Sequence, residues 1–234
     1  MKVLIACEES QRVCTEFRKL GHEAYSCDVI DCSGGHPEWH IKGDCLPLLQ
    51  GNCTFETVVG GQHEVGKWDL VIAHPPCTYL TNAGTRHYSL KCNTPEKVIE
   101  RMWDMAKSAV FFMQCYFANA DKVCVENPLG CMGKLFRRYD QIIHPYYFAE
   151  SQNEESYVQK RTCLWLRGLP KLKRISELPK PEPKYICQGE KCKGKAIGWC
   201  EGVTRDRARI RSKTFPSIAK AMAEQWGQIE GEHK

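Results

Sequence analysis

Apolar residues in the first part of the chain recur with two different periods, and the change of period marks the elements. Residues 2–7 are an almost unbroken apolar run and read as a short buried strand. Residues 10–20 place Val13, Phe17 and Leu20 on one helical face, and Gly21 closes that helix. Residues 23–29 make a second strand with Asp28 at its end. About the first 30 residues thus form a strand-helix-strand unit, the way a Rossmann-like nucleotide-binding sheet begins. Residues 31–67, rich in Gly, His, Cys and Pro, show weak periodicity and read as loops with at most one short helix.

Further along, residues 67–73 form an apolar strand that runs into His74-Pro75-Pro76-Cys77. Residues 95–119 have the spacing of a long amphipathic helix, with Met102, Ala106, Ala109, Val110 and Met113 near a common face. Residues 122–125 are the next strand, followed by Glu126-Asn127-Pro128, and residues 162–166 another, preceded by Gln159-Lys160-Arg161. Pro216 opens a last helix over residues 217–225. The expected architecture is α/β: a catalytic domain over 1–167, a small insertion rich in Lys, Pro, Gly and Cys over 168–211, and a helical segment over 212–234 that returns to the first domain.

Composition narrows this picture. With 234 residues and 42% hydrophobic content, the chain can bury one ordinary core plus a small appendage. No stretch reaches the roughly 18 consecutive apolar residues of a membrane helix, and no export pattern opens the chain, so a cytoplasmic protein without a membrane partner is expected. The formal charge of +5 suits a nucleic-acid partner. Lysines gather between 171 and 195, and Arg205, Arg207, Arg209, Arg211 and Lys213 follow closely; a solvated basic face and a phosphate-binding face are equally consistent with that cluster. Fifteen cysteines in such a chain read mostly as small core residues, not as a disulfide framework. Cys187, Cys192 and Cys200 lie close together but without a Cys-x-x-Cys pair or a fourth ligand, so no metal is expected.

Three polar groups fall at predicted strand ends: Pro76-Cys77, Glu126-Asn127-Pro128 and Gln159-Lys160-Arg161. Taken alone, each is usually only a turn. In a parallel sheet such ends converge on one crevice. In this order they resemble the cytosine carbon-5 DNA methyltransferase family, in particular its small phage- or prophage-like members, over about residues 1–166 and the closing helix. The resemblance implies Cys77 as the nucleophile that adds to carbon 6 of cytosine, Glu126 as the carboxyl partner of ring nitrogen 3 and the exocyclic amine, and Arg161 on the carbon-2 oxygen. It implies S-adenosyl-L-methionine as cofactor, held by Glu9, Ser10, Asp28, Asp44 and Pro75. Double-stranded DNA is the implied partner, with Pro76, Asn127, Gln159, Arg207 and Arg209 on the substrate side and the basic insertion as target-recognition region. A monomer is expected.

The chain departs from the family pattern in three places. The first loop is Ala6-Cys7-Glu8-Glu9-Ser10-Gln11-Arg12 where the family is glycine-rich, Thr78 follows the nucleophile in place of glutamine, and Cys163 stands where a second arginine is usual. Adjacent carboxylates would repel a dinucleotide's pyrophosphate, but S-adenosylmethionine has no phosphate and carries a sulfonium and an ammonium. Three alternatives remain open at this point: an RNA cytosine methyltransferase, an exocyclic-amino methyltransferase sharing the two prolines, and a catalytically inactive DNA-binding module of the same fold.

Overall fold

The computed structural model describes residues 1–183 and 207–228. Seven of the strands among them are β1 (Lys2–Ala6), β2 (Glu23–Asp28), β3 (His40–Lys42), β6 (Trp68–Ala73), β7 (Ala120–Pro128), β8 (Gln141–Ile143) and β9 (Thr162–Arg167). These form one sheet in the order β3-β2-β1-β6-β7-β9-β8. A hairpin of β4 (Cys53–Glu56) and β5 (Gln62–Val65) stands beside it. The pairs from β3 through β7 are parallel, while β9 runs antiparallel to both β7 and β8. The architecture is therefore α/β with a mostly parallel sheet, compatible with a Rossmann-like fold. Apart from the reversed β9, the order is that of a doubly wound sheet, with the switch point between β1 and β6.

Period-two alternation divides the strands between two cores. Val3, Ile5, Leu70, Ile72, Cys124 and Leu164 pack with Val13 and Phe17 of α1 (Arg12–Lys19) and with Ile218, Met222 and Trp226 of α5 (Pro216–Gly227). Leu4, Ala6, Val71, Ala73, Val123, Val125 and Trp165 face the other way, onto Phe112, Cys115 and Tyr116 of α2 (Pro95–Tyr116). Burial of both faces explains why β1 and β6 read as continuous apolar runs.

Several expectations are corrected by the structure. Leu20 follows α1 and is 43% exposed, its expected place on the buried face being taken by Cys14. On α2 the buried stripe is Ala109, Phe112, Cys115 and Tyr116, whereas Met102 and Val110 are about half exposed. This helix carries apolar residues on more than one face, and the stripe with the two aromatics buries the larger area. It ends at Tyr116, because Phe117 caps it and Asn119 N–H donates to the Leu49 carbonyl. Residues 31–67 are more ordered than their sequence implies. They hold β3 at the sheet edge and the β4–β5 hairpin, whose Phe55 packs edge-on to Tyr25 and stacked on Trp68. Short α3 (Met132–Leu135) and α4 (Arg207–Ser212) complete the α-helices among the described residues.

The described part of the basic segment, 168–183, lies along the body of the protein. Leu172 is buried in the α1–α5 core, and the N–H groups of Ile175 and Ser176 both donate to the Tyr147 carbonyl. Cys187, Cys192, Cys200 and Arg205 are outside the described residues.

Candidate active site

The parallel strands β1, β6 and β7 end on one edge of the sheet, and the reversed β9 begins there. Thr162, its first residue, pairs with Pro128, the last of β7. Reversal of that one strand is what brings the loop before it, 159–161, to the same edge as the loops after β6 and β7. Glu126 and Asn127 belong to β7 itself, which runs to Pro128, beyond the expected end at 125.

The loop after β6 is held at several points. His74 N–H donates to the Ala6 carbonyl, extending the β1–β6 ladder by one residue. The buried Asn127 side-chain amide donates to the Pro75 carbonyl at 2.8 Å. Asn127, expected to meet substrate, thus uses that donor to clamp the proline loop. The Cys77 carbonyl accepts from Leu80 and Thr81 N–H, so a turn begins at the cysteine, and Leu80 anchors it in the core. Across from it, the Cys131 N–H donates to the Leu80 carbonyl, and Thr81 bridges Gly130. The loops after β6 and β7 are clasped together.

Within this frame the charges of three side chains interlock. The Cys77 thiol is pushed up, first by burial and then by the Glu126 charge, with Lys160 and Arg211 opposing. Burial also works to push the Glu126 carboxyl up, but a hydrogen bond from His74 and the charge of Lys160 outweigh it and hold the group below its ordinary range. Burial pulls the Lys160 ammonium down, while Glu126 and Cys77 hold it up. Lys160 Nζ also donates to the Arg211 carbonyl at 3.2 Å and lies 5.5 Å from the Phe215 ring centre. The resting site is therefore a thiol beside a carboxylate, with Lys160 acting on both.

Arg161, expected at the base, is exposed, and its charge acts on His144 and Cys163. The cation acting on both Cys77 and Glu126 is Lys160. Gln159 meets the Pro181 carbonyl at 2.6 Å instead of the site. Pro75 is buried and Pro76 exposed at the loop surface. Arg207 and Arg209 fall on α4, and their side chains lie outside the described residues. Two residues of the site were not anticipated: Lys160, hidden between two expected ligands, and His74, whose Nδ1 lies 3.2 Å from Glu126 Oε2.

On the β1 side, the glycine-poor loop turns with Cys7 and Gln11 at φ 60° and 56°. Left-handed backbone at such residues is the kind of strain that surrounding contacts must hold. The fully buried Gln11 does so by bonding the His36 backbone at both ends of its amide and the Ser26 hydroxyl. Glu8 turns inward and accepts from the N–H groups of Val13 and Cys14, capping the first turn of α1. Glu9 and Ser10 are buried, with Glu9 3.9 Å from Lys213 Nζ. Asp28 ends β2 half-buried, one carboxylate oxygen receiving the Ile30 N–H, and its carbonyl accepts the Gly43 N–H beside the exposed Asp44. The expected cofactor residues Glu9, Ser10, Asp28 and Asp44 are thus gathered around one stretch of the sheet edge, but Glu8 faces inward.

Glu8 yields a pH-dependence. Burial raises its carboxyl to about 7, against the opposing pull of His74 and its two backbone donors. An acid raised in the folded state binds more protons there than in the unfolded chain between about 4.5 and 7, so its contribution is most favourable below that window and is lost as pH rises through it. The shift corresponds to roughly 3 kcal/mol as an order of magnitude. In Glu8→Gln this loss should disappear, so the difference in denaturation free energy between pH 5 and pH 8 should be smaller than in wild type by a few kcal/mol. Parallel pH curves for the two proteins would refute it.

Among the described residues, no three His, Cys, Asp or Glu side chains are grouped to hold a metal ion, and no helix is long and apolar enough to cross a membrane. No protein-family model matches the chain, and no curated protein matches it in sequence.

Proposed function

We propose that the chain transfers a methyl group to carbon 5 of a cytosine flipped out of double-stranded DNA, with Cys77 as nucleophile. The observation that carries this reading is the meeting of Cys77, Glu126 and Lys160 on one sheet edge, each acting on the charge of the others. Carbon 5 of cytosine is a weak nucleophile. Addition of the Cys77 thiolate to carbon 6 turns the ring into an enamine able to accept an electrophilic methyl group. Negative charge then develops on the ring, which Glu126 relieves at nitrogen 3. Lys160 takes the role the resemblance implies for Arg161 and relieves it at the carbon-2 oxygen.

The residues on the β1 side fit S-adenosyl-L-methionine better than a dinucleotide. A half-buried Asp28 at a strand end suits ribose hydroxyls, and a buried Glu9 next to Ser10, whose Oγ has no hydrogen-bond partner among the described residues, suits a cationic group and not a phosphate. When bound there, the cofactor supplies the methyl group. Each hydrogen bond to a charged acceptor contributes roughly 1.5–3 kcal/mol, so Asp28→Ala should weaken S-adenosylmethionine binding by about tenfold or more in calorimetry, with the fold intact. Equal affinity in the variant would remove Asp28 from the cofactor site.

A base inside a duplex is out of reach of Cys77, so flipping, at a few kcal/mol, precedes the chemistry. The test is transfer of labelled methyl from S-adenosylmethionine to duplex DNA, with nucleoside analysis of the product. Label at cytosine carbon 5 supports the reading. Label on RNA or on an exocyclic amine, or DNA binding with no transfer, replaces it by the corresponding alternative.

A further inference from the structure

His74 stands on this edge without a role in the chemistry described so far. Its Nδ1 lies 3.2 Å from Glu126 Oε2, and the two side chains are 6% and 17% exposed. The backbone that carries the ring is fixed from both sides. The His74 N–H continues the β1–β6 ladder, and the prolines that follow it stiffen the backbone. Nε2 is buried with no hydrogen-bond partner among the described residues, so the carboxylate is the one hydrogen-bonding group the ring addresses there.

A carboxylate alone is poorly suited to cytosine. Ring nitrogen 3 presents a lone pair, and addition of a thiolate makes the ring more electron-rich; both call for a proton between Glu126 and the ring. Yet the resting Glu126 is held ionised. The structure thus presents a proton acceptor where a proton donor is required, with an imidazole in contact behind it.

We propose that His74 is the positioning residue that holds this proton, delivering it through Glu126 to ring nitrogen 3 as Cys77 adds to the base. The inference rests on the methyltransferase reading of the same site. In the step, the His74 Nδ1–H bond breaks and a Glu126 O–H bond forms; that O–H bond then breaks as the ring N–H bond forms. The imidazolium has lost one proton, the ring has gained one, and Glu126 ends as it began. The Cys77 thiol proton passes to solvent before addition; on elimination the carbon-5 proton passes to solvent as the carbon-6–sulfur bond breaks, and the proton on ring nitrogen 3 returns along the same path. While Glu126 is protonated, its negative charge no longer opposes ionisation of the Cys77 thiol, so delivery of the proton also favours the nucleophile.

Charged groups around the pair come from every element packed on it. Glu8, after β1, feels the His74 charge but has both oxygens engaged by the Val13 and Cys14 N–H groups. Lys160, before β9, and Cys77, after β6, face Glu126, and Arg211 faces Cys77 and Lys160.

The experiment compares wild type with His74→Gln, which keeps a hydrogen-bond donor but has no titrating group; His74→Asn replaces it if the first variant melts early. In the protein without DNA or cofactor, side-chain carboxyl NMR, assigned with Glu126→Gln, should show the Glu126 midpoint rising by about one pH unit or more once the imidazole is lost. Single-turnover methyl transfer to duplex DNA is then followed across the range from weakly acidic to alkaline pH at saturating cofactor. The alkaline limit should move to lower pH by about one unit or more, because Glu126 then holds the proton without the imidazole behind it. On the alkaline side the rate should fall at least about tenfold with unchanged S-adenosylmethionine affinity. A variant whose profile is the wild-type curve scaled by a constant, or whose Glu126 midpoint stays put, overturns the inference and leaves the methyltransferase reading standing. A wild-type protein that methylates no nucleic acid overturns both.

Discussion

On the proposed function, wild type should form a covalent adduct with S-adenosylmethionine and duplex DNA carrying 5-fluorocytosine, and Cys77→Ser should leave the protein folded and abolish it. Fluorine at carbon 5 blocks the last step, loss of the carbon-5 proton, so the thioether to carbon 6 persists and is read on a denaturing gel. Serine keeps the size of the side chain but is a far weaker nucleophile near neutral pH. Methyl transfer should therefore fall by at least about a thousandfold, the scale on which loss of a covalent nucleophile acts. The variant's effect on stability should be small, since Cys77 is only partly buried and contributes its carbonyl, not its sulfur, to the turn that begins there. An adduct of wild-type yield in Cys77→Ser would transfer the role to another of the twelve described free cysteines, Cys131 on the clasped loop being the first to test.

The second large effect is expected at a residue without chemistry. A Cβ on Gly130 would collide with the Leu80 carbonyl oxygen and stand 3.1 Å from Thr81 Cα. Backbone cannot yield there as a flexible side chain would, so in Gly130→Ala the clasp between the loops after β6 and β7 has to open. Leu80 and Thr81 are also the donors to the Cys77 carbonyl, and their displacement is passed directly to the nucleophile. Misplacement by about 1 Å is enough to lower turnover roughly a hundredfold. Gly130→Ala should show that loss in kcat while S-adenosylmethionine affinity, proposed for the β1 side, stays within about twofold, and amide exchange should quicken over residues 77–81. Wild-type turnover would mean that the clasp does not position Cys77.

The strands that are apolar on both faces were legible because burial on both sides leaves no polar interruption: β1 and β6 stand out in the sequence close to their observed places, whereas β7 stands out only over its apolar middle. β3 was not, since three residues give no period, and its His40 is a polar residue buried by hydrogen bonds to Ser26 and the Ile30 carbonyl. The wrong stripe of α2 has a different origin. Met102, Ala106 and Val110 satisfy helical spacing as well as Phe112 and Tyr116 do, and only the sheet decides between them. For the site, Cys77 and Glu126 could be found because each ends or follows a readable strand. Lys160 could not be separated from Arg161 without the direction of side chains in the segment entering a reversed strand. His74 looked like punctuation before two prolines, and its partner lies 52 residues away.

Helix α5 has a consequence for how the protein is born. It covers Val3 and Ile5, from the opposite end of the described chain, together with Leu70 and Ile72, and its Trp226 is wholly buried among them, with Nε1 donating to the Pro170 carbonyl. A ribosome that has finished β9 must still translate about 50 residues before α5 can emerge, a delay of several seconds at roughly 5–20 residues per second. Through that interval the part of this sheet face not covered by α1 stands open, a ready target for chaperones and for other nascent chains. A premature stop within the basic segment should therefore yield an insoluble product instead of a shortened folded protein.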